Sequence, residues 1–220
     1  MTGCHNDDVI DHLVLATPDV DATSAQIRSQ WGVAVVNGGS HTGRGTRNEL
    51  TGLGGSTYLE IVGPDAEQPE PNGPRPFGVD QLTQPSFVAW CARPAHPLDD
   101  VLARLAAQGV ELGPAAEMSR LRPDGLQLNW RLTFPLLDAP HNGALPFLID
   151  WLDSPHPTAS LPHDAQLMSL HIVHPQADMI RAMLVEISRD ATGLTTLIEV
   201  EEGTARLWAK VSTPRGVLLV

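Results

Sequence analysis

Lysine is almost missing from this chain: of 14 basic residues only Lys210 is a lysine, and 26 acidic residues leave a formal charge of −12 over 220 residues. So acidic a polymer repels a phosphate backbone, and no cluster of arginines makes a local exception, so nucleic acid is excluded as a partner. Cysteine is as scarce. Cys4 and Cys91 form neither a disulfide framework nor a Cys-x-x-Cys pair, which fits a reducing compartment. No apolar run approaches the roughly 20 residues that cross a bilayer, and residues 1–8 are acidic where a secretory leader is basic. The expectation is a cytoplasmic protein without membrane contact. Gly-x-Ser-x-Gly is also lacking, which argues against a nucleophilic hydrolase.

What is present is turn-forming residues, nineteen glycines and nineteen prolines, which imply many short elements. Val9 to Ala16 reads as a strand, and Thr17, Pro18 and Asp19 end it and cap a helix running to about Trp31, with Val20, Ala25, Ile27 and Trp31 as its apolar stripe. Gly32 stops the helix before a short strand, Val33 to Val36. Asn37 to Thr46, with four glycines, reads as a loop leading into two strands, Arg47 to Leu53 and Tyr58 to Val62, joined at Gly54 and Gly55. Gly63 to Pro85 carries six prolines and reads as a surface linker.

The same order then returns. Ser86 to Ala92 is a strand, Leu98 to Gln108 an amphipathic helix, and Val110 to Leu112, Leu126 to Phe134 and Pro146 to Trp151 are strands. A third round follows with Leu167 to Val173, a helix from about Gln176 to Ile187, and strands at Leu197 to Val200, Arg206 to Ser212 and Gly216 to Val220. Repetition at a period of about 75 to 85 residues is the strongest structural signal in the chain. It predicts an α+β domain of successive βαβββ units. The first two units, 9–63 and 86–152, form a pair within 1–152, and 164–220 is a third, partial unit packed on the same domain.

Ile10-Asp11-His12-Leu13-Val14 aligns with Ser169-Leu170-His171-Ile172-Val173. With Gly38-Gly39-Ser40-His41, Gly45-Thr46, Asn48, Tyr58-Leu59-Glu60-Ile61 and Pro146 to Trp151, the chain resembles the glyoxalase-like branch of the vicinal oxygen chelate superfamily. That resemblance implies that the units form curled mixed sheets with helices on the outer face, and that the concave face holds a divalent metal between the first and last strands of each unit. Carried over, His12 and Glu60 are metal ligands in the first unit, and a Zn, Mn, Fe or Ni ion suits an imidazole with a carboxylate. The second unit offers no histidine in its first strand and only Asp150 in its last, so His41, His171 or Asp150 fills the gap, with His41 preferred. The resemblance further implies a small-molecule enzyme of isomerase, lyase or dioxygenase type in which the ion is a Lewis acid and Glu60 is the catalytic carboxylate. Its alternative is a metal-free binding or resistance-type protein, and a third reading is an interaction module; monomer and homodimer both stand.

His41, Asn48, Trp130 and Trp151 are the candidate substrate contacts. Beside these stand blander readings: His12 as a structural partner of Asp11, Glu60 on a solvated edge strand, the two tryptophans as core, and Asn48 holding its own hairpin. The glycines at 38–45 lack the strand-turn-helix context of a dinucleotide site, so no nucleotide cofactor is expected. His96, His141, His156, His163 and His174 read as surface residues, and the acidic run Glu199 to Glu202 as a solvated strand end.

Overall fold

The computed structural model describes residues 9–188 and 197–220; Cys4 lies outside the described residues. The first segment runs β1 (Ile10–Ala16), α1 (Val20–Trp31), β2 (Val36–His41), β3 (Thr46–Gly52) and β4 (Tyr58–Pro64). The second runs β5 (Ser86–Ala92), α2 (Leu98–Ala107), β6 (Ala116–Leu121), β7 (Gln127–Leu132) and β8 (Phe147–Asp150). The third runs β9 (Gln166–His174), α3 (Ala177–Ile187), β10 (Ile198–Glu202), β11 (Arg206–Thr213) and β12 (Gly216–Leu219).

The curled sheet expected of the first two units is here a closed barrel of strands β1 to β8, in the order β1-β4-β3-β2-β6-β7-β8-β5. Two antiparallel seams close it, β1 with β5 and β2 with β6, while β1–β4 and β5–β8 are parallel. Closure leaves no free edge among these eight strands. The registers repeat from half to half: His12 lies opposite Cys91 at one seam and His41 opposite Arg120 at the other. His12 neighbours Tyr58 as Cys91 neighbours Phe147, so Glu60 and Ile149, each two residues on, are equivalent positions.

The third segment repeats the order of elements but not their pairing. Its first strand, β9, sits inside a four-stranded sheet, β10-β9-β11-β12, parallel to β10 and antiparallel to β11. In the barrel halves the parallel neighbour of the first strand is the last strand, and here it is the strand directly after the helix.

The alternation of side chains along the barrel strands divides the apolar residues into two cores. Outward-facing Leu13, Leu59, Ile61, Trp90 and Leu148 pack with Ile27 and Trp31 of α1, Val101 and Leu105 of α2, and Leu170, Ile172, Ile180 and Leu184 of the third segment. Inward-facing Val14, Val62, Ala89, Cys91, Leu128, Trp130, Phe147 and Ile149 make the second core, inside the barrel. Helix α1 is capped by Asp19, whose side chain accepts from Ala22 N at 3.0 Å, and ends at Gly32 with φ 72°. Its buried face is Val20, Thr23, Ser24, Ile27 and Trp31; Ala25 points to solvent.

Three local expectations change. Val110 to Leu112 is not a strand; the chain pairs later, at β6, whose mixed polar sequence hides its alternation. The glycine-rich stretch is strand β2 and its turn, not a long loop, because Gly38 and Gly39 sit in the ladder beside a bulge that needs no side chain there. The proline-rich linker carries a 3-10 helix, Pro76–Gln81, whose Phe77 and Val79 pack against the interior core.

Candidate functional site

A cavity opens into the barrel. The first half supplies its polar side, His12, His41, Asn48, Tyr58 and Glu60. Arg120 comes from β6, and the remaining wall is aromatic or aliphatic, including Phe77, Trp130, Phe147 and Trp151. Phe77 holds φ 61°, an unfavourable backbone conformation for a bulky residue, with its ring 5.8 Å from that of Phe147 at the wall.

A bulge in β1 sets up the first donor. The pairing with β5 shifts between Ile10 and His12, leaving Asp11 as the extra residue and turning its side chain toward the same neighbourhood as His12. His12 Nδ1 is 2.7 Å from Asp11 Oδ1, and Asp11 Oδ2 accepts from Trp151 Nε1 and lies 3.0 Å from His156 Nε2. Burial pushes the Asp11 pKa up, and the hydrogen bonds from His12 and His156 outweigh it, so the carboxyl stays below the usual carboxylate range. An ionised Asp11 accepts the Nδ1 proton of His12 and so turns Nε2 toward Glu60 Oε2, 3.6 Å away. The ring is stacked on Tyr58 with centroids 4.7 Å apart.

Glu60 is 5% exposed and, among the described residues, is the only carboxylate lining the cavity. Asn48 Nδ2 donates to Glu60 Oε1 at 2.5 Å and lies 3.2 Å from His41 Nε2, while Asn48 Oδ1 accepts from Arg120 Nη1 at 2.8 Å. These contacts orient the amide, so Asn48 links the carboxylate to the guanidinium rather than merely closing its hairpin. His41 Nδ1 stands 3.0 Å from Thr46 Oγ1, and burial pushes the ring's pKa down to about 4 against the opposing pull of Glu60. His41 is therefore neutral and its Nε2 lone pair faces the Asn48 amide.

The resemblance calls for an ion between the halves, and the donors allow part of a shell. Two ligands about 2.1 Å from one ion stand roughly 3 to 4 Å apart, and His12 Nε2 with Glu60 Oε2 meets that condition at 3.6 Å. His41 Nε2, the preferred third ligand, stands 3.5 Å from Glu60 Oε1 and meets the same condition. Cys91, equivalent to His12, is a further donor: among the described residues Asp11, His12 and Cys91 bring ligating atoms within 4.8 Å of one another. Burial raises the Cys91 pKa, so without an ion it is a thiol. The fourth corner is Ile149 and has no donor. Asp150 is not among the lining residues and accepts from Leu152 N, and His171 lies in the other sheet, stacked on Trp208 and 3.1 Å from Glu199. Neither can fill the gap.

Trp130 and Trp151 reach the wall as expected, with centroids 5.4 Å apart. Two histidines read as surface are structural. His156 meets Asp11, Tyr58 and Trp151, and His174 is buried with its ring stacked on His141. Sequence reading missed Asp11, Arg120 and Phe77 as parts of the site. Asp11 was visible as the neighbour of a strand histidine, and Arg120 falls two residues after Met118, the spacing that puts both on one strand face.

Residues 10–188 match the glyoxalase-like domain family, whereas no curated protein matches the chain. A hypothetical protein from Staphylococcus aureus superposes with a TM-score of 0.65 at 15% identity, covering 90% of this chain and 87% of that one. Methylmalonyl-CoA epimerase of Streptomyces coelicolor, in complex with 2-nitronate-propionyl-CoA, gives 0.46 at 22% identity over 66% of this chain and 97% of its own. The Mycobacterium tuberculosis epimerase gives 0.41 at 16% over 73% and 97%. At such identities the S. aureus likeness is one of fold, and the epimerase superpositions lend nothing to the choice of substrate. No helix among the described residues is long and apolar enough to cross a membrane. With its match spanning both barrel halves and the segment beyond, the chain belongs to the glyoxalase-like domain family of the vicinal oxygen chelate superfamily.

Proposed function

We propose that the barrel is the active site of a metal-dependent enzyme acting on a small molecule with a carbonyl or vicinal oxygens, and that Glu60 moves the proton. The observation that carries this reading is the His12–Glu60 pair, buried at the cavity with His12 oriented by an ionised Asp11. A carboxylate and an oriented imidazole in an otherwise largely apolar barrel are costly to bury unless a ligand or ion repays them. His12, Glu60 and His41 would hold the ion, with Cys91 beside them. A bound divalent ion of the Zn, Mn, Fe or Ni kind would polarise the ligand's oxygens as a Lewis acid.

The chain's own groups do the rest. Glu60, the one carboxylate at the cavity, takes a proton from the carbon next to the carbonyl; Asn48 steadies Oε1 and restricts its movement. Phe77, Trp130, Phe147 and Trp151 keep water from that carbon. Isomerisation, epimerisation and elimination share this first step. The reading extends to a cytoplasmic monomer or homodimer that uses no nucleotide cofactor. Ile149 at the fourth corner favours a second reading, a metal-free binder.

Proton exchange separates the two. In D2O, with divalent ions supplied, small 2-oxo and 2-hydroxy carbonyl compounds should lose their α-proton NMR signal in the presence of the protein. Glu60→Gln should slow that loss by about 100-fold or more. Unchanged exchange in the variant would remove Glu60 from the chemistry, and no exchange with any compound would favour the binder.

A further inference from the structure

One cation in the barrel has no anion. Arg120, on β6, is 3% exposed, and no described carboxylate forms an ion pair with it. Its single hydrogen bond runs from Nη1 to Asn48 Oδ1, and its buried Nε has no partner. Burial lowers its pKa, with Tyr58 and Glu60 pulling the other way. The nearest carboxylate across the network, Glu60, is reached only through Asn48. Trp130, 5% exposed on the neighbouring β7, likewise has a buried Nε1 without an acceptor. Both residues line the same cavity.

The backbone makes room for this guanidinium. A Cβ at Gly38 would overlap Asn48 Oδ1 and Arg120 Nη1, and one at Gly39 would overlap the Leu121 carbonyl. The two glycines of β2 thus clear a berth in which Arg120 lies across the strand, an arrangement that a residue kept only for packing would not need. A buried guanidinium and a buried indole N–H, both unpaired, are expensive to retain in an apolar barrel.

The chemistry of the missing partner follows from what is left unsatisfied. Arginine and tryptophan side chains offer donors alone, so their complement is an acceptor-only group, and the positive charge asks for an anion. With Nη1 committed to Asn48, the free edge of the guanidinium is Nε–H with Nη2–H, a fork that matches the two oxygens of a carboxylate. The wall around it, Trp130, Trp151, Leu132, Phe134 and Phe147, suits an apolar or aromatic body. We propose that Arg120, assisted by the Trp130 N–H, is a carboxylate-binding subsite, and that the cavity's ligand is a small organic acid with an apolar or aromatic body. This deepens the preceding reading and rests on it only in taking the cavity as the ligand site; it stands with or without an ion at His12 and Glu60.

The test compares phenylpyruvate with its uncharged amide by titration calorimetry on the full chain. The wild type should bind the acid at least 10-fold more tightly than the amide. Arg120→Met should abolish that preference while leaving amide binding within about threefold, and Trp130→Phe should weaken the acid selectively by a smaller factor. Should Arg120→Met fail to fold, judged by circular dichroism, the wild-type preference and the Trp130→Phe arm decide. His12→Ala with Glu60→Ala separates the two proposals: the acid preference kept after the metal is lost supports the Arg120 subsite whatever becomes of the metal site, and an acid preference lost with the metal would overturn it. Equal binding of acid and amide, no binding of the acid, or an Arg120→Met protein that still prefers the acid would overturn the subsite.

Discussion

At equivalent positions around the barrel the first half presents His12, Tyr58, Glu60, His41 and Asn48 where the second presents Cys91, Phe147, Ile149, Arg120 and Trp130. The strand order and the seam pairings are alike, and beyond the bulges at Asp11 and Gly38 the difference lies in the side chains. They make one wall a network of donors and acceptors and the other an aromatic surface with a single cation. The contrast teaches how a barrel of two matched halves builds a site: one half carries the reactive groups and the other supplies low-dielectric surroundings in which those groups act strongly. It also accounts for a donor set drawn from the first half, His12, His41 and Glu60, to which the second half adds only the Cys91 thiol among the described residues.

The comparison breaks most severely if the second half is given the first half's acid. Ile149→Glu places a carboxylate at the position equivalent to Glu60 without an Asn48 to meet it, and should cost about 3–5 kcal/mol in urea unfolding. Part of that loss should return when a divalent ion is added, because the fourth corner then has a donor; a variant indifferent to ions would mean that the two corners do not face one site. A smaller effect is expected on the polar side. Asp11→Asn keeps the shape but loses the charge that orients His12, and metal affinity measured by competition with a chelating dye should fall about 10–100-fold.

The smallest effect lies where the second half meets the separate sheet. His174 Nδ1 accepts from Gln176 N, so its Nε2 carries the proton and donates to His141 Nδ1, 3.2 Å away. Burial lowers the His174 pKa, and the nearby His141 adds to it. As pH falls below the ordinary value of 6.5 the unfolded chain binds a proton that the folded chain resists, so stability drops with falling pH and levels off at the lower folded pKa. His174→Leu should flatten that slope in thermal melts between pH 7 and 5, by about 2–4 °C in Tm. A slope unchanged in the variant would assign the acid sensitivity to other groups.

Much of this fold is legible in the chain. Strands β1, β4 and β5, the three helices and the recurring element order follow from periodicity and capping residues, which are local properties. Strands β2 and β6 are less so. Gly38 and Gly39 look like loop residues until Arg120 is seen lying over them, and Ala116–Leu121 is too polar to read as a strand until its partner faces the cavity. The pairing within the third segment is likewise invisible, because the order of elements does not say which strand joins β9. At the site, His12, His41, Asn48, Glu60, Trp130 and Trp151 all reach the cavity. Cys91 as the counterpart of His12, and Arg120 as a cation without an anion, depend on cross-strand register and burial, which exist only once the barrel has closed.

The most direct test of the account is the metal content of protein purified without chelator and supplied with Zn, Mn, Fe and Ni, measured by mass spectrometry beside His12→Ala and Glu60→Ala. The account predicts about one transition-metal ion per chain in the wild type and almost none in either variant. A wild type that retains no specific ion, or variants that keep it in full, would contradict the assignment of His12 and Glu60 and leave the barrel as a binding pocket for an organic ligand.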